Sequence, residues 1–278
     1  MDAQQLIARG KLAQALAALQ DLVRKDASNP KHRIFLFQLL CVMGQWHRAL
    51  TQLNVTAELD AAALPMAQTY REAIQCEALR ADILAGKRQP LVFGEPRPWL
   101  VMLLEALKFD SSGDVVSAAR VREQALEEAP AIGGEIDGQR FAWLADADQR
   151  IGPVLEAVVN GRYFWIPFER ISKIEIDAPV DLRDVVWMPA TFTWTSGAET
   201  VGLIPTRYAD TVSCGVDELL LARRTDWVER GRMSGYGLGQ RMFATDTGDF
   251  ALMDARSISF DGFEAGGRAD DTAELAHG

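Results

Sequence analysis

The sequence predicts an α+β, multidomain protein in which an N-terminal stack of α-helical hairpins precedes a smaller β-rich α+β domain. Three observations predict this. Glycine-led segments near the N-terminus recur at a fixed offset. After Asn160-Gly161 the pattern changes to short runs rich in aromatic and β-branched residues. Turn-forming clusters such as Thr195-Ser196-Gly197-Ala198 and Asp246-Thr247-Gly248-Asp249 separate those runs.

The helical half comes first. Gly10 opens Gly-Lys-Leu-Ala-Gln-Ala-Leu, and Gly44, 34 residues later, opens Gly-Gln-Trp-His-Arg-Ala-Leu. The same offset relates Leu12 to Trp46, Ala15 to Ala49, Leu16 to Leu50 and Leu19 to Leu53. Thirty-four residues is the tetratricopeptide (TPR) period. The glycine turns the chain between antiparallel helices, the alanine sits where they touch, and the leucines fill the seam on one face. A further copy begins at Gly113, with Ala118, Ala125 and Pro130 following and with Ala106 and Phe109 on the preceding helix. Between the copies a helix with a poor repeat match is expected from about Pro65 to Ala85, ending at Gly86. Asn29-Pro30, Leu64-Pro65 and Pro96-Arg97-Pro98 mark helix boundaries. Residues 1–132 are therefore expected to form a TPR-like domain of irregular helix pairs.

Gly133-Gly134 marks a break. The second domain, 133–260, is expected to open with a helix over 138–159, because Phe141, Leu144, Ala145 and Asp148 have helical spacing and Pro153 suits the start of a second segment, Val154 to Val159. Strands are expected at Tyr163–Ile166, Ile171–Ile176, Val185–Met188 and Thr191–Thr195, and a hairpin at Met242–Thr245 with Phe250–Met253. Residues 261–278, polar and glycine-rich, are expected to be a disordered tail.

Composition excludes several function classes. A net charge of −10 disfavours a phosphate backbone as partner, and no Lys/Arg run opposes that trend. Cys41, Cys76 and Cys214 are odd in number and far apart, which predicts neither a disulfide framework nor a metal site. No apolar run approaches the ~20 residues of a membrane span, and the N-terminus has no basic-then-apolar leader pattern. A cytoplasmic protein without membrane contact is expected.

No motif supports catalysis or a cofactor. Asp246-Thr247-Gly248 matches the aspartic-protease triplet, but that chemistry requires two such carboxylates and no second copy exists. Gly235-Tyr236-Gly237-Leu238-Gly239 lacks the strand–helix setting and the Lys-Ser/Thr of a phosphate loop, and is expected to be a loop with unusual backbone angles. His32 and His47 fall in the helical half and His277 in the expected tail, so no histidine accompanies a nucleophile in the β-rich half. Asp146 and Asp148, two apart on the expected helix, make a weak pair. Trp143, Trp165, Trp187, Trp194 and Trp227 are expected to pack the core, although large aromatics also serve as partner anchors.

Five ordered blocks carry a family resemblance. They are Asp146-Ala147-Asp148-Gln149-Arg150-Ile151-Gly152-Pro153-Val154-Leu155-Glu156; Gly161-Arg162-Tyr163-Phe164-Trp165-Ile166-Pro167-Phe168-Glu169-Arg170-Ile171; Leu182-Arg183-Asp184-Val185-Val186-Trp187-Met188-Pro189-Ala190; Ile204-Pro205-Thr206-Arg207-Tyr208; and Gly237-Leu238-Gly239-Gln240-Arg241. Together they resemble the ImpE/TagJ family of type VI secretion accessory proteins. The resemblance implies a TPR-like N-terminal region and a cytoplasmic role beside the contractile sheath. It further implies binding to the N-terminal helix of the small sheath subunit, with an influence on sheath recycling by the ClpV unfoldase, and it carries over no catalytic residue.

A TPR-like stack offers a concave groove lined by the first helix of each pair, where an amphipathic helix can lay its apolar face. In the repeat register Ile34, Gln38, Cys41, Leu100 and Leu103 are expected to face that groove. Two alternatives remain open from the residues alone: an enzyme with a site built from Glu169, Arg170, Arg183 and Asp184, and a scaffold that dimerises through its β-rich domain. The sequence leaves the oligomeric state open.

Overall fold

The computed structural model describes residues 1–229 and 235–262. The first half is helical: α1 (Ala3–Ala8), α2 (Leu12–Lys25), α3 (Pro30–Val42), α4 (Trp46–Leu59), α5 (Leu64–Leu84), α6 (Pro98–Ser112) and α7 (Val115–Glu128). The chain turns at Gly10 and Gly44 with the same backbone angle, φ 65°, and at Gly113 with φ 83°, a region L side chains rarely enter. Ala15, Ala49 and Ala118 are fully buried, so the small residue after each turn is where neighbouring helices meet. Helix α5 spans the expected range and matches no repeat because it faces the β-rich half instead.

The strands are β1 (Leu91–Val92), β2 (Gly134–Ile136), β3 (Gln139–Phe141), β4 (Leu144–Asp146), β5 (Val154–Val159), β6 (Arg162–Pro167), β7 (Ile171–Ile176), β8 (Trp187–Trp194), β9 (Glu199–Pro205), β10 (Thr225–Glu229), β11 (Gly235–Gly239), β12 (Met242–Thr245), β13 (Asp249–Ala251) and β14 (Ser257–Phe260). A nine-stranded sheet runs β1-β6-β5-β9-β8-β7-β14-β2-β3, a three-stranded sheet runs β13-β12-β4, and β10 and β11 form a two-stranded ribbon. Only β1 with β6 is a parallel pair in these sheets; β1 comes from the helical half and supplies an edge of the main sheet.

The main sheet is buried on both faces at its centre. Val154, Val158, Tyr163, Trp165, Trp187 and Leu203 join the core of the helices. Leu155, Ala157, Val159, Ile166, Met188 and Phe192 face the other way, into a second core shared with Leu144 and Phe243 of the three-stranded sheet. Tyr70 of α5 and Trp46 of α4 both pack on Trp187, with ring centroids 5.7 and 5.9 Å away. Trp165, Trp187 and Trp194 are core residues as expected; Trp143 and Trp227 are partly exposed.

Several local expectations are corrected. No helix spans 138–159; that segment contains β3, β4 and β5. All six residues of β5 are buried because helices cover one face and a second core the other, and such a run has no alternation to distinguish it from a buried helix. Asp137-Gly138 and Asn160-Gly161 are two-residue hairpin turns with positive φ at both positions, joining β2 to β3 and β5 to β6. The two runs expected around Val185–Thr195 form one continuous strand, β8. Gly235–Gly239 is a strand rather than a loop: Gly237 lacks a side chain because a Cβ there would meet the Tyr208 ring at 2.2 Å. The hairpin at 242–251 is present as expected. Asp261 belongs with β14, its N–H donating to the Gly133 carbonyl at 2.9 Å. The remaining tail, 263–278, with His277, lies outside the described residues.

Candidate functional site

Two features distinguish the helical half from a plain stack: a buried ionic junction that fixes the β-rich half against it, and an open groove beside that junction.

The junction is built from residues distant in sequence. Glu156 stands on the face of β5 turned toward the helices. It accepts two hydrogen bonds from Arg80 of α5, Nε at 2.7 Å and Nη2 at 2.9 Å. Arg241, which precedes β12, bridges Glu156 and Asp146. Tyr163 donates its hydroxyl to Glu156 and accepts from Trp165 Nε1 at 2.9 Å. Burial opposes the charge on Glu156, but the guanidiniums of Arg80 and Arg241 prevail and hold it well below the ordinary carboxylate range. Asp146 has one guanidinium partner and lies beside Asp148; burial raises its pKa to about 7 against the pull of Arg241.

Arg207 completes the junction differently. Its Nη1 donates to the carbonyls of Val42 at 2.7 Å and Leu220 at 2.5 Å, and Nη2 reaches the Cys41 carbonyl at 3.4 Å. It thus caps the C-terminal end of α3, where the helix dipole favours a cation, and burial pulls its pKa down to about 10. Asp148, expected beside Asp146 on a helix, instead follows β4: its N–H donates to Asp146 Oδ1 at 2.8 Å and its carboxylate binds Arg150 and the Gly237 N–H.

This docking decides where the groove lies. Cys41, Leu100 and Leu103 do not line it; they are at most 1% exposed, within the core that includes Trp165 and Trp187. The β-rich half packs against α3 and α5, the helical face that a free-standing stack would leave open. On the α3 side a cavity of about 680 Å³ stays open between α1, the first turns of α3 and the loop Val180–Leu182. Ile34 and Gln38 do line this cavity, together with Ile7, Phe35, Val180 and Leu182. Sequence reasoning missed Val180, the most exposed large apolar side chain among the described residues at 88%; its signal is local, an apolar residue between Pro179 and Asp181 with no strand or helix to serve.

The residues of the enzyme alternative do not converge. Glu169 accepts from Arg97 Nε at 2.8 Å, and Arg170 lies against the backbone at Gly94. Arg183 pairs with Asp181 at 2.5 Å and stacks on Tyr70, while Asp184 is buried and accepts the N–H groups of Val180 and Asp181. Among the described residues no cluster of His, Cys, Asp and Glu is arranged to hold a metal ion, and no helix is long and apolar enough to cross a membrane.

Comparison with known proteins agrees with this architecture. The family model described as ImpE protein matches residues 138–259. The type VI secretion system accessory component TagJ of Pseudomonas aeruginosa is 51% identical over 95% of this chain and 93% of its own length. The crystal structure of protein VPA1032 from Vibrio parahaemolyticus superposes with a TM-score of 0.85, covering 94% of this chain and 97% of that one; at 24% identity the likeness concerns the fold. With half of its residues shared with TagJ along nearly the whole chain, and the ImpE model matching from β3 to β14, this chain belongs to the ImpE/TagJ family.

Proposed function

We propose that this protein is a non-enzymatic accessory adaptor of a bacterial type VI secretion system, working in the cytoplasm. The observation that carries this reading is the 51% identity, along 95% of the chain, to a protein named as an accessory component of that system. In this reading the helix pairs of residues 1–132 act as a TPR-like recognition unit, and residues 133–260 brace it through the Glu156 junction. The partner is the N-terminal helix of the small sheath subunit, seated in the groove between α1, α3 and Val180–Leu182. Through that contact the protein influences sheath assembly or ClpV-dependent recycling. An apolar groove with half-buried Ile34 and exposed Val180 supports a helix-in-groove mode.

The test is co-purification of the full chain with the small sheath subunit, intact and lacking its first helix. Binding is expected only with the intact subunit. Undiminished capture of the shortened subunit refutes the helix as the recognised element.

A further inference from the structure

The groove carries an unbalanced charge, which bears on the kind of helix it accepts. We propose that it selects an amphipathic helix whose polar flank carries carboxylates, set against Lys31 and His32. This inference rests on the groove being the docking site.

The walls are two helices and the loop Val180–Leu182, and no strand edge borders the cavity. Beyond the first N–H groups of α3 the helix backbone is already paired, so an extended peptide gains no ladder of hydrogen bonds here. Recognition must come from side chains, which an amphipathic helix provides by placing an apolar face on Ile7, Ile34, Phe35, Val180 and Leu182.

The charged side chains lining the groove are Lys31 and Asp181, with His32 beside Lys31. Asp181 is balanced: Arg183 Nη2 lies 2.5 Å from its carboxylate, which also caps the short turn that follows. Asp184 behind it is buried and occupied by the backbone N–H groups of Val180 and Asp181, at 2.8 and 2.7 Å. Lys31 is exposed and makes no ion pair among the described residues. It sits in the first turn of α3, where the helix dipole adds to its positive potential. In a chain of net charge −10 this groove end is a local reversal of sign, and a partner flank bearing Glu or Asp is the complement.

The experiment measures fluorescence anisotropy of two synthetic helical peptides against the full chain. The peptides share one apolar face and differ only in carrying Glu or Lys along one flank. The Glu peptide is expected to bind about five-fold more tightly at low salt, in line with one or two exposed ion pairs. The preference should collapse near 1 M salt, where the screening length falls to about 3 Å. Lys31→Glu should reverse it. Equal affinity for both peptides, with binding abolished by Val180→Asp, overturns the charge inference and leaves the groove standing. Binding indifferent to Val180→Asp, or no binding of either peptide, overturns both.

Discussion

Replacing Glu156 by Gln tests the junction most directly. The carboxylate is fully buried and receives four hydrogen bonds: two from Arg80, one from Arg241 and one from the Tyr163 hydroxyl. A carboxamide keeps the shape but offers one oxygen, and in either orientation it turns its NH₂ toward a guanidinium of Arg80, which can only donate. As anionic partners Arg241 then keeps only Asp146, and Arg80 keeps only Glu77, whose carboxylate lies 3.5 Å from its Nη1. Removing one partner of a buried ion pair costs about 3–5 kcal/mol, and Glu156 serves two, so the upper part of that range is expected. For a chain of this size that corresponds to a fall of about 8–20 °C in Tm. The assay is urea unfolding followed by tryptophan fluorescence, which is weighted toward the β-rich half because five of the seven tryptophans lie there, and by far-ultraviolet circular dichroism, which is dominated by the helices. In the parent protein the two signals should coincide, because the junction ties the sheet to α5. In Glu156→Gln both midpoints should fall. A midpoint unchanged within error refutes the argument that this ion cluster holds the halves together.

The pH dependence has a definite sign. The folded pKa of Glu156 lies below its unfolded value, so its contribution to stability is present above the ordinary glutamate range and is lost as pH falls through that range toward the folded value. Glu156→Gln should therefore flatten the acid limb of a stability–pH curve, and a limb of unchanged steepness contradicts the assignment.

Gly237→Ala should destabilise the fold by about 1–3 kcal/mol, since the new methyl meets a Tyr208 ring held by Asp146 and by the Met242 N–H; a shift in the urea midpoint measures it, and wild-type stability would show that the ring can move. Cys41 and Cys76 are buried and their thiols are raised by burial, Cys76 to about 12, whereas Cys214 is partly exposed. Iodoacetamide at pH 8 should label Cys214 alone in the native protein and all three thiols in urea, read by peptide mass spectrometry; native labelling of Cys41 would mean that the α3–β interface opens.

Some of this molecule is local and therefore legible in the residues. The glycine turns at 10, 44 and 113 and the buried alanines after them follow from spacing, because helix pairing depends on neighbours a few tens of residues away. The 242–251 hairpin follows from its turn, and the family follows from short ordered blocks. The Asp137-Gly138 and Asn160-Gly161 turns were equally available in the residues, and they identify β2, β3 and β5 as strands. Periodicity pointed the other way over 138–159, because β5 is covered on both faces and burial there follows the sheet's position rather than an alternating pattern.

What only the tertiary structure decided is which helical face stays open. The repeat register places Ile34, Gln38, Cys41, Leu100 and Leu103 on one concave surface, and nothing in that register reveals that the sheet will occupy part of it. Arg80, Asp146, Glu156 and Arg241 meet from four separate segments, and Arg207 crosses from β9's end to the end of α3. Each is unremarkable as a charged residue in sequence. Burial makes their pairing obligatory, since an isolated charge in that interior would be far more costly than the pairs they form. That obligation seats the β-rich half on α3 and α5, with Cys41, Leu100 and Leu103 inside the joint core, and leaves a groove open at Ile34, Gln38 and Val180. The sequence by itself determined the helices, the family and the candidate groove face; the docking of the two halves determined how much of that face a partner can reach.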